Sequence, residues 1–124
     1  METTAGTTDV VRAYHDAWTS KNFEQAAMHL APDLETDVPI NTYATAEEFV
    51  EALSWFGQLV LSVDLLAEFA RGDQAMLLYD VVTDPFGRLR VAEHFTVAGG
   101  RITRIRHVHD TAALRAAGLG EDDS

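Results

Sequence analysis

The last third of the chain carries acidic and imidazole side chains at spacings that could support acid–base chemistry. Glu93 lies in the segment RLRVAEHFTVA, and His107 and His109 lie two residues apart in RITRIRHVH. Alternate residues of a strand share one face, so a pairing of these segments places a carboxylate and two imidazoles on the same side. Histidine changes its charge near neutral pH, and a neighbouring carboxylate can orient its ring. The spacing therefore predicts a site that gives and takes protons.

The Gly99-Gly100 pair between the two segments is a strong hairpin signal. With the second glycine in the left-handed position of a type I turn with a bulge, the predicted register places Glu93 opposite Ile105 and Val91 opposite His107. Glu93 and His107 are then diagonal neighbours, within reach of a direct or water-bridged hydrogen bond. The face that holds them also carries apolar side chains, and its predicted members are Val91, Glu93, Phe95, Ile105, His107 and His109.

A second candidate carboxylate, Asp80, lies on the preceding segment, residues 75–83, which reaches the hairpin through an Asp-Pro-Phe-Gly turn. The same pairing logic through this turn places Asp80 on the concave face, one strand beyond Val91, together with Leu78 and Val82. The alternate residues of that segment are also apolar, so both of its faces require cover. We therefore expect a homodimer through the outer face of the sheet. The outward set in this prediction is Leu77, Tyr79 and Val81.

The elements that must position these residues follow from the periodicity of the apolar side chains. An amphipathic stripe over residues 10–18 predicts a first helix capped by Thr7 or Thr8, and the spacing of Asn22 and Gln25 predicts a second helix that runs to about residue 30. A strand over residues 33–39 and a third helix capped by Thr45 follow. From residue 61 onward the period is two, which predicts four long strands in three consecutive hairpins.

This order predicts an α+β fold in which three helices from the N-terminal half cover one face of a strongly curved and mainly antiparallel sheet. We expect one domain over residues 1–124, with disordered ends at residues 1–6 and 120–124.

Composition narrows the classes of partner. The 124 residues carry 9 basic and 20 acidic side chains, and the formal net charge of -11 argues against nucleic acid and anionic membranes. Cysteine is absent, which excludes disulfides, thiolate metal sites and cysteine nucleophiles. We find no secretory leader and no apolar run that could span a bilayer, so we expect a cytoplasmic protein. Phosphate-binding and dinucleotide fingerprints are absent, and we expect no cofactor.

Two short strings, VVRAY at residues 10–14 and AEHF at residues 92–95, carry a family resemblance together with the order of the elements. They resemble strings in the cone-shaped fold shared by nuclear transport factor two, ketosteroid isomerase and the SnoaL-like polyketide cyclases. In the isomerase, a tyrosine of the first helix and a protonated aspartate donate hydrogen bonds to the substrate oxyanion. The resemblance implies these positions for Tyr14 and Glu93. The isomerase's general base, an aspartate before a proline, is replaced here by Val38 before Pro39.

The closing string RITRIRHVHDTAALRAAGL resembles the ending of the SnoaL-like cyclases. There, a tryptophan-aspartate pair on the last strand is followed by a second aspartate and a short helix. A match through Asp110 and Thr111 puts Arg106 on the tryptophan and His107 on the acid–base aspartate. The resemblance therefore implies that His107 has the acid–base role, which a histidine can fill.

Together these observations predict a cofactor-independent isomerase, cyclase or dehydratase, that is, an isomerase or lyase acting on a small, mostly apolar carbonyl or epoxide-type metabolite. The predicted catalytic residues are His107, Glu93, Asp80 and Tyr14. The predicted substrate contacts are Trp18, Val38, Leu53, Phe56, Leu78, Val91, Phe95, Ile105 and His109. No metal site is predicted, because the His-x-His spacing is common in strands without a metal. The open alternative is a non-catalytic ligand-binding or dimerisation module of the same fold.

Each candidate residue also has a structural interpretation. Glu93 and His107 could form a structural pair inside a filled cone, and Tyr14 and Trp18 could be core aromatics. His109 could lie at a solvated rim. We expect two further histidines, His15 and His29, on the surface. We also expect ion pairs on the outer sheet face between Arg90, Arg104 or Arg106 and Asp64 or Glu68.

Overall fold

The computed structural model describes residues 6–38, 43, 45–84 and 86–109. Its elements follow the predicted order: α1 (Thr7–Thr19), α2 (Phe23–Ala27), β1 (Leu30–Asp37), α3 (Ala46–Gly57), β2 (Val60–Arg71), β3 (Gln74–Thr83), β4 (Gly87–Ala98) and β5 (Arg101–His109). The predicted disordered ends, apart from Gly6, lie outside the described residues, as do Pro39, Asp110 and Thr111. Within the described residues, none of the helices is both long enough and apolar enough to cross a membrane.

The five strands form one sheet in the order β1-β5-β4-β3-β2. The three hairpins from β2 to β5 are antiparallel, while β1 runs parallel to β5 at the other edge. Helices α1, α2 and α3 supply the opposing layer, because their apolar stripes need the apolar face of the sheet as cover. The predicted α+β fold, with helices of the N-terminal half on a curved and mainly antiparallel sheet, is confirmed.

Two of the three predicted helix caps are confirmed. The Asn22 side chain accepts a hydrogen bond from the backbone of Gln25 at 3.2 Å, and Thr45 accepts one from Glu48 at 3.2 Å. Helix α1 begins one or two residues earlier than the predicted caps Thr7 or Thr8 imply, since Gly6 is its N-cap. Helix α2 ends at Ala27 rather than near residue 30, because Leu30 already pairs with Ile102 of β5 in the sheet.

The predicted register of the β4–β5 hairpin is wrong by two residues. Both Gly99 and Gly100 have positive φ, 61° and 80°, so they form a two-residue turn that pairs Ala98 with Arg101. A bulge then follows in β5, where Thr103 is the extra residue between the pairs on either side. A shift of two residues preserves the face of every side chain, so the predicted inward set survives and Glu93 faces His107 directly.

The predicted register between β3 and β4 is wrong by one residue. Unlike the shift of two residues in the β4–β5 hairpin, this error moves side chains to the other face of the sheet. Thr83 pairs with Gly87, whose positive φ of 76° closes the turn, and Asp80 therefore faces Arg90 rather than Val91. A shift of one residue exchanges the two faces of a strand. The predicted outward set lies in the core instead, with Leu77, Tyr79 and Val81 each at most 2% exposed.

The core lies between the helices and the concave face of the sheet. Its buried apolar residues come from every element. Among the helices, α1 supplies the most buried apolar residues to this core, and its Val11, Tyr14 and Trp18 are each at most 2% exposed. Helix α1 therefore lies directly over the face of the sheet that holds Glu93.

Candidate functional site

Four side chains form a continuous hydrogen-bonded chain across the concave face of β3, β4 and β5. Tyr79 donates through its hydroxyl to Glu93 Oε1 at 3.0 Å. The other carboxylate oxygen, Oε2, lies 3.0 Å from His107 Nδ1. The chain continues from His107 Nε2 to His109 Nδ1 at 2.8 Å. The hairpin register creates this arrangement, because Glu93 faces His107 and Val91 faces His109.

The acceptor role of Glu93 orders the protons along this chain. An ionised carboxylate can only accept hydrogen bonds, so the neutral His107 ring carries its proton on Nδ1. The Nε2 atom of His107 is then an acceptor, and its partner, His109, must donate from Nδ1. Both ring nitrogens of His107 are therefore engaged inside the protein.

Glu93 is the electrostatic centre of the concave face. It is 3% exposed, and a buried carboxylate needs partners that replace its lost hydration. Burial raises the pKa of both Tyr14 and Tyr79 well above the usual tyrosine value, and the Glu93 charge raises both further. The two hydroxyls consequently remain protonated and available as donors at neutral pH.

Four polar atoms of α1 are buried without a hydrogen-bond partner among the described residues: Arg12 Nε, the Tyr14 hydroxyl, His15 Nδ1 and the indole Nε1 of Trp18. The Tyr14 hydroxyl and the Trp18 indole lie one helical turn apart. The Tyr14 ring packs edge-on against Phe95, with the ring centroids 6.0 Å apart. A buried donor without an acceptor is costly, so the Tyr14 hydroxyl and the Trp18 indole can each donate favourably to an oxygen atom of a bound molecule.

His15 was expected on the surface, and that expectation is wrong. The ring is 3% exposed and contacts Tyr79 edge-on, with centroids 4.9 Å apart. Burial lowers its pKa, although the nearby Glu93 charge acts in the opposite direction. The buried face of α1 is therefore wider than the apolar residues at positions 10–18 suggest. The position of His15, beside Tyr14 and one turn before Trp18, could have indicated this burial from the sequence.

The model of the SnoaL-like domain matches residues 11–105 of the chain. The chain belongs to the SnoaL-like family. The match includes Tyr14 and Glu93 and ends two residues before His107, so the two histidines of β5 lie beyond it. A comparison with curated proteins finds no match.

Solved structures extend the likeness of this SnoaL-like protein to nearly the whole chain. A protein from Kribbella flavida DSM 17836 is 32% identical, with a TM-score of 0.85 over 94% of this chain and 95% of that one. An NTF2-like protein of unknown function from Cytophaga hutchinsonii ATCC 33406 is 19% identical, with a TM-score of 0.82 over 93% and 99%. A proposed polyketide cyclase from Sinorhizobium meliloti is 20% identical, with a TM-score of 0.73 over 81% and 94%.

The predicted placement of Asp80 on the concave face of this SnoaL-like protein is wrong. Asp80 lies on the outer face, where its carboxylate accepts two hydrogen bonds from Arg90, at 2.7 and 2.9 Å, and one from Arg88 at 3.0 Å. The Arg90 hydrogen bond in particular lowers the pKa of Asp80 to about 2, against the opposing effect of burial. A carboxylate held by two guanidinium groups on the far side of the sheet cannot reach the concave face.

Leu78 is on the outer face as well, since it pairs with Ala92, so its predicted placement on the concave face is also wrong. The other predicted substrate contacts lie on the helix side of the sheet or in the helical layer. Val91, Phe95 and Ile105 are buried, whereas Leu53 and Phe56 of α3 are half-buried and pack against the core. Val38 is half-buried just after β1. The predicted register placed Tyr79 on the outer face, but Tyr79 pairs with Val91 and lies with these residues on the concave face.

The predicted ion pairs form with different partners, and Glu68 is not on the outer face. Arg104 pairs with Glu35 at 2.6 Å, whereas Glu68, which faces Leu77 on the helix side of the sheet, pairs with Arg12 of α1 at 2.9 Å. In the described part of the chain, no group of three or more histidine, aspartate or glutamate residues is arranged to hold a metal ion. His107 is also a poor metal ligand in this geometry, because both of its ring nitrogens have side-chain partners.

Proposed function

We propose that this SnoaL-like protein is a cofactor-independent acid–base enzyme, an isomerase, cyclase or dehydratase, for a small and mostly apolar carbonyl or epoxide-type metabolite. The observation that carries the proposal is the hydrogen-bonded chain Tyr79–Glu93–His107–His109. A carboxylate that is buried and bonded to an imidazole can hold that ring in one orientation and stabilise its protonated form. This arrangement supplies a proton donor and acceptor on a face that is otherwise apolar.

Tyr14 and Trp18 complete the proposed site as hydrogen-bond donors. Their polar atoms are buried and have no partner among the described residues. A carbonyl oxygen that gains negative charge during proton removal would satisfy both donors, and donors held in place for such an oxygen stabilise the transition state. The high pKa of Tyr14 keeps its hydroxyl protonated for this role.

Isomerisation of a β,γ-unsaturated cyclohexenone to its conjugated form tests the proposal, because this small apolar ketone requires proton removal beside a carbonyl. We expect turnover by the wild type and a loss of about 10²–10⁴-fold in Glu93→Gln. Glu35→Gln is the matched control, since it removes an exposed carboxylate that pairs with Arg104. Equal rates in the wild type and Glu93→Gln would contradict the proposal, and ketone binding without turnover would favour the non-catalytic alternative.

We also propose that the protein is a homodimer through the outer sheet face, with a contact set that differs from the predicted one. An apolar row crosses this face over four strands, because Ala67, Leu78, Ala92 and Val108 are paired in sequence. Phe69 and Met76 pair beside this row. Phe69, Met76 and Val108 are 71%, 44% and 64% exposed, and a second copy would remove this apolar surface from water.

A further inference from the structure

The Glu93 carboxylate is held by hydrogen bonds at both of its oxygens rather than by its own rotamer. The terminal torsion of a glutamate side chain is broad, so the plane of the carboxylate turns freely unless partners hold it. The Tyr79 hydroxyl bonds to Oε1 and His107 Nδ1 faces Oε2, each at 3.0 Å. The direction in which Glu93 presents Oε2 to His107 therefore depends on where the Tyr79 hydroxyl lies.

The place of that hydroxyl depends in turn on the rotamer of Tyr79. On β4, Glu93 lies opposite Leu77 rather than opposite Tyr79. Tyr79 and Glu93 are therefore diagonal neighbours on the concave face, and such a pair meets only through long side chains. A change of the tyrosine rotamer would carry the hydroxyl away from the carboxylate, so the ring needs contacts that keep it in place.

Two rings of α1 supply these contacts. His15 and Trp18 are three residues apart and share one face of the helix. Their ring centroids lie 4.9 and 6.1 Å from that of Tyr79, and the two rings are themselves edge-on at 5.9 Å. All three residues are at most 3% exposed, so they form a closely packed aromatic group at distances typical of favourable ring pairs.

His15 is the member of this group with the nearest approach to Tyr79. Its Nδ1 atom has no hydrogen-bond partner among the described residues, and its contact with Tyr79 is between the two rings. A buried imidazole costs solvation and therefore needs a reason. Trp18 already has a proposed role as a donor to the substrate, so His15 is the residue through which the hold of α1 on Tyr79 can be tested separately.

We infer that His15 is a positioning residue, because its ring holds Tyr79 and the Tyr79 hydroxyl sets the orientation of the Glu93 carboxylate. That carboxylate in turn orients His107. The effect on turnover rests on the proposed function, whereas the effect on the orientation of the side chains does not. Tyr14, the proposed donor to the substrate oxygen, directly precedes His15, so a single helix places both this donor and the carboxylate.

Relaxation-dispersion NMR of the side-chain rings tests the positioning without a substrate. His15→Ala removes the ring, and the rings of Tyr79 and His107 should then exchange between conformations on the microsecond-to-millisecond timescale and give broadened resonances. His15→Phe restores a flat ring and should return the narrow resonances of the wild type. Tyr79→Phe keeps the ring at position 79 but loses the hydrogen bond to Glu93, so it should broaden His107.

Leu34→Ala is the control for a general loss of core packing. Leu34 is 1% exposed on β1, and β5 and β4 lie between that strand and β3. The resonances of His107 should stay narrow in this variant. His15→Leu fills the space of the imidazole without a flat ring, should broaden both rings, and keeps the test available should the alanine variant unfold. Narrow His107 resonances in the folded variants without the ring, or equal broadening in Leu34→Ala, would overturn the inference.

Turnover of the β,γ-unsaturated cyclohexenone tests the effect on the reaction. We expect His15→Ala to lose about 10–10²-fold in kcat with an unchanged KM, because a displaced catalytic group slows the reaction without weakening binding. His15→Phe should recover most of the wild-type kcat, and Leu34→Ala should retain it. Full kcat in His15→Ala beside an active wild type would overturn the role of His15. A wild type without turnover whose His15→Ala variant shows the broadening would overturn the proposed function while confirming that His15 holds Tyr79.

Discussion

Tyr79 donates a hydrogen bond to Glu93 at 3.0 Å, whereas the hydroxyl of Tyr14, which also interacts with the Glu93 charge, has no partner among the described residues. The two tyrosines are both buried and differ in this one respect. Removing each hydroxyl therefore separates structural support from substrate binding.

Tyr79→Phe should destabilise the fold by about 1.5–3 kcal/mol, because a buried carboxylate loses a hydrogen bond to a charged group. Tyr14→Phe should leave the free energy of unfolding unchanged or raise it, since the hydroxyl it removes is buried and unsatisfied. The same Tyr14→Phe variant should still lose ketone turnover. Chemical denaturation and the isomerisation assay measure the two effects, and a Tyr14→Phe protein that is destabilised with full activity would identify Tyr14 as a core residue only.

Asp80 should make the protein sensitive to acid. Its pKa is lowered from 3.8 to about 2 in the folded state, so its contribution to stability is complete above pH ~4 and is lost as the pH falls towards 2. Asp80→Asn should be less stable than the wild type at neutral pH and show a shallower loss between pH ~4 and 2. Thermal unfolding across this range provides the measurement, with Asp73→Asn, a change in the exposed β2–β3 turn, as the control. Parallel curves for the wild type and Asp80→Asn would contradict the ion-pair explanation.

His15 should make the stability of the fold depend on pH in a higher range than Asp80 does. Because burial lowers its pKa below the usual 6.5, the unfolded chain binds a proton in a range where the folded protein does not. Stability is therefore complete above pH ~6.5 and falls as the pH decreases below it. His15→Phe keeps an aromatic ring against Tyr79 and Trp18 and should flatten this decline. Denaturant unfolding of the variant and of His29→Phe between pH ~7 and 5 checks the prediction, which fails if His15→Phe retains the wild-type slope.

Gly57 should not tolerate a methyl group. A Cβ atom at this position would overlap the ring of Phe23, which joins α3 to α2. Gly57→Ala should cost about 1–3 kcal/mol through overpacking, reduced by the better helix propensity of alanine. Phe23→Leu opens space beside the methyl group, so the double variant should lose less stability than the two single changes added together. Additive losses in this cycle would show that the two residues do not press on each other.

Dimerisation through the outer sheet face should fail in Met76→Lys, because the change places a charge beside the apolar row. Light scattering should give twice the chain mass of 13.6 kDa for the wild type and the monomer mass for the variant. Met28→Lys is the matched control, as Met28 is 64% exposed and follows α2 rather than the sheet. A wild type that remains at the monomer mass at all accessible concentrations would reject the dimer.

Local patterns in the sequence were sufficient for much of this structure. The apolar stripe of α1, the caps at Asn22 and Thr45 and the change to a period of two after residue 60 each depend on neighbours within one helical turn or one strand. The shared face of Glu93, His107 and His109 was also predictable, because alternation along a strand fixes parity and the hairpin register was wrong by an even number of residues.

The exact pairing of the strands and the depth of individual polar residues were decided by the tertiary structure. Gly87, Gly99 and Gly100 all take positive φ, and these turn conformations set the registers of β3, β4 and β5. The same turn shift that moved Asp80 to the guanidinium groups of the outer face brought Tyr79 to Glu93. Both results depend on contacts between residues far apart in sequence, because the free energy of strand pairing is set by the whole sheet and its helical cover. The alternation of side chains along β3 is the same in either register, so the sequence of the strand alone does not show which face is buried.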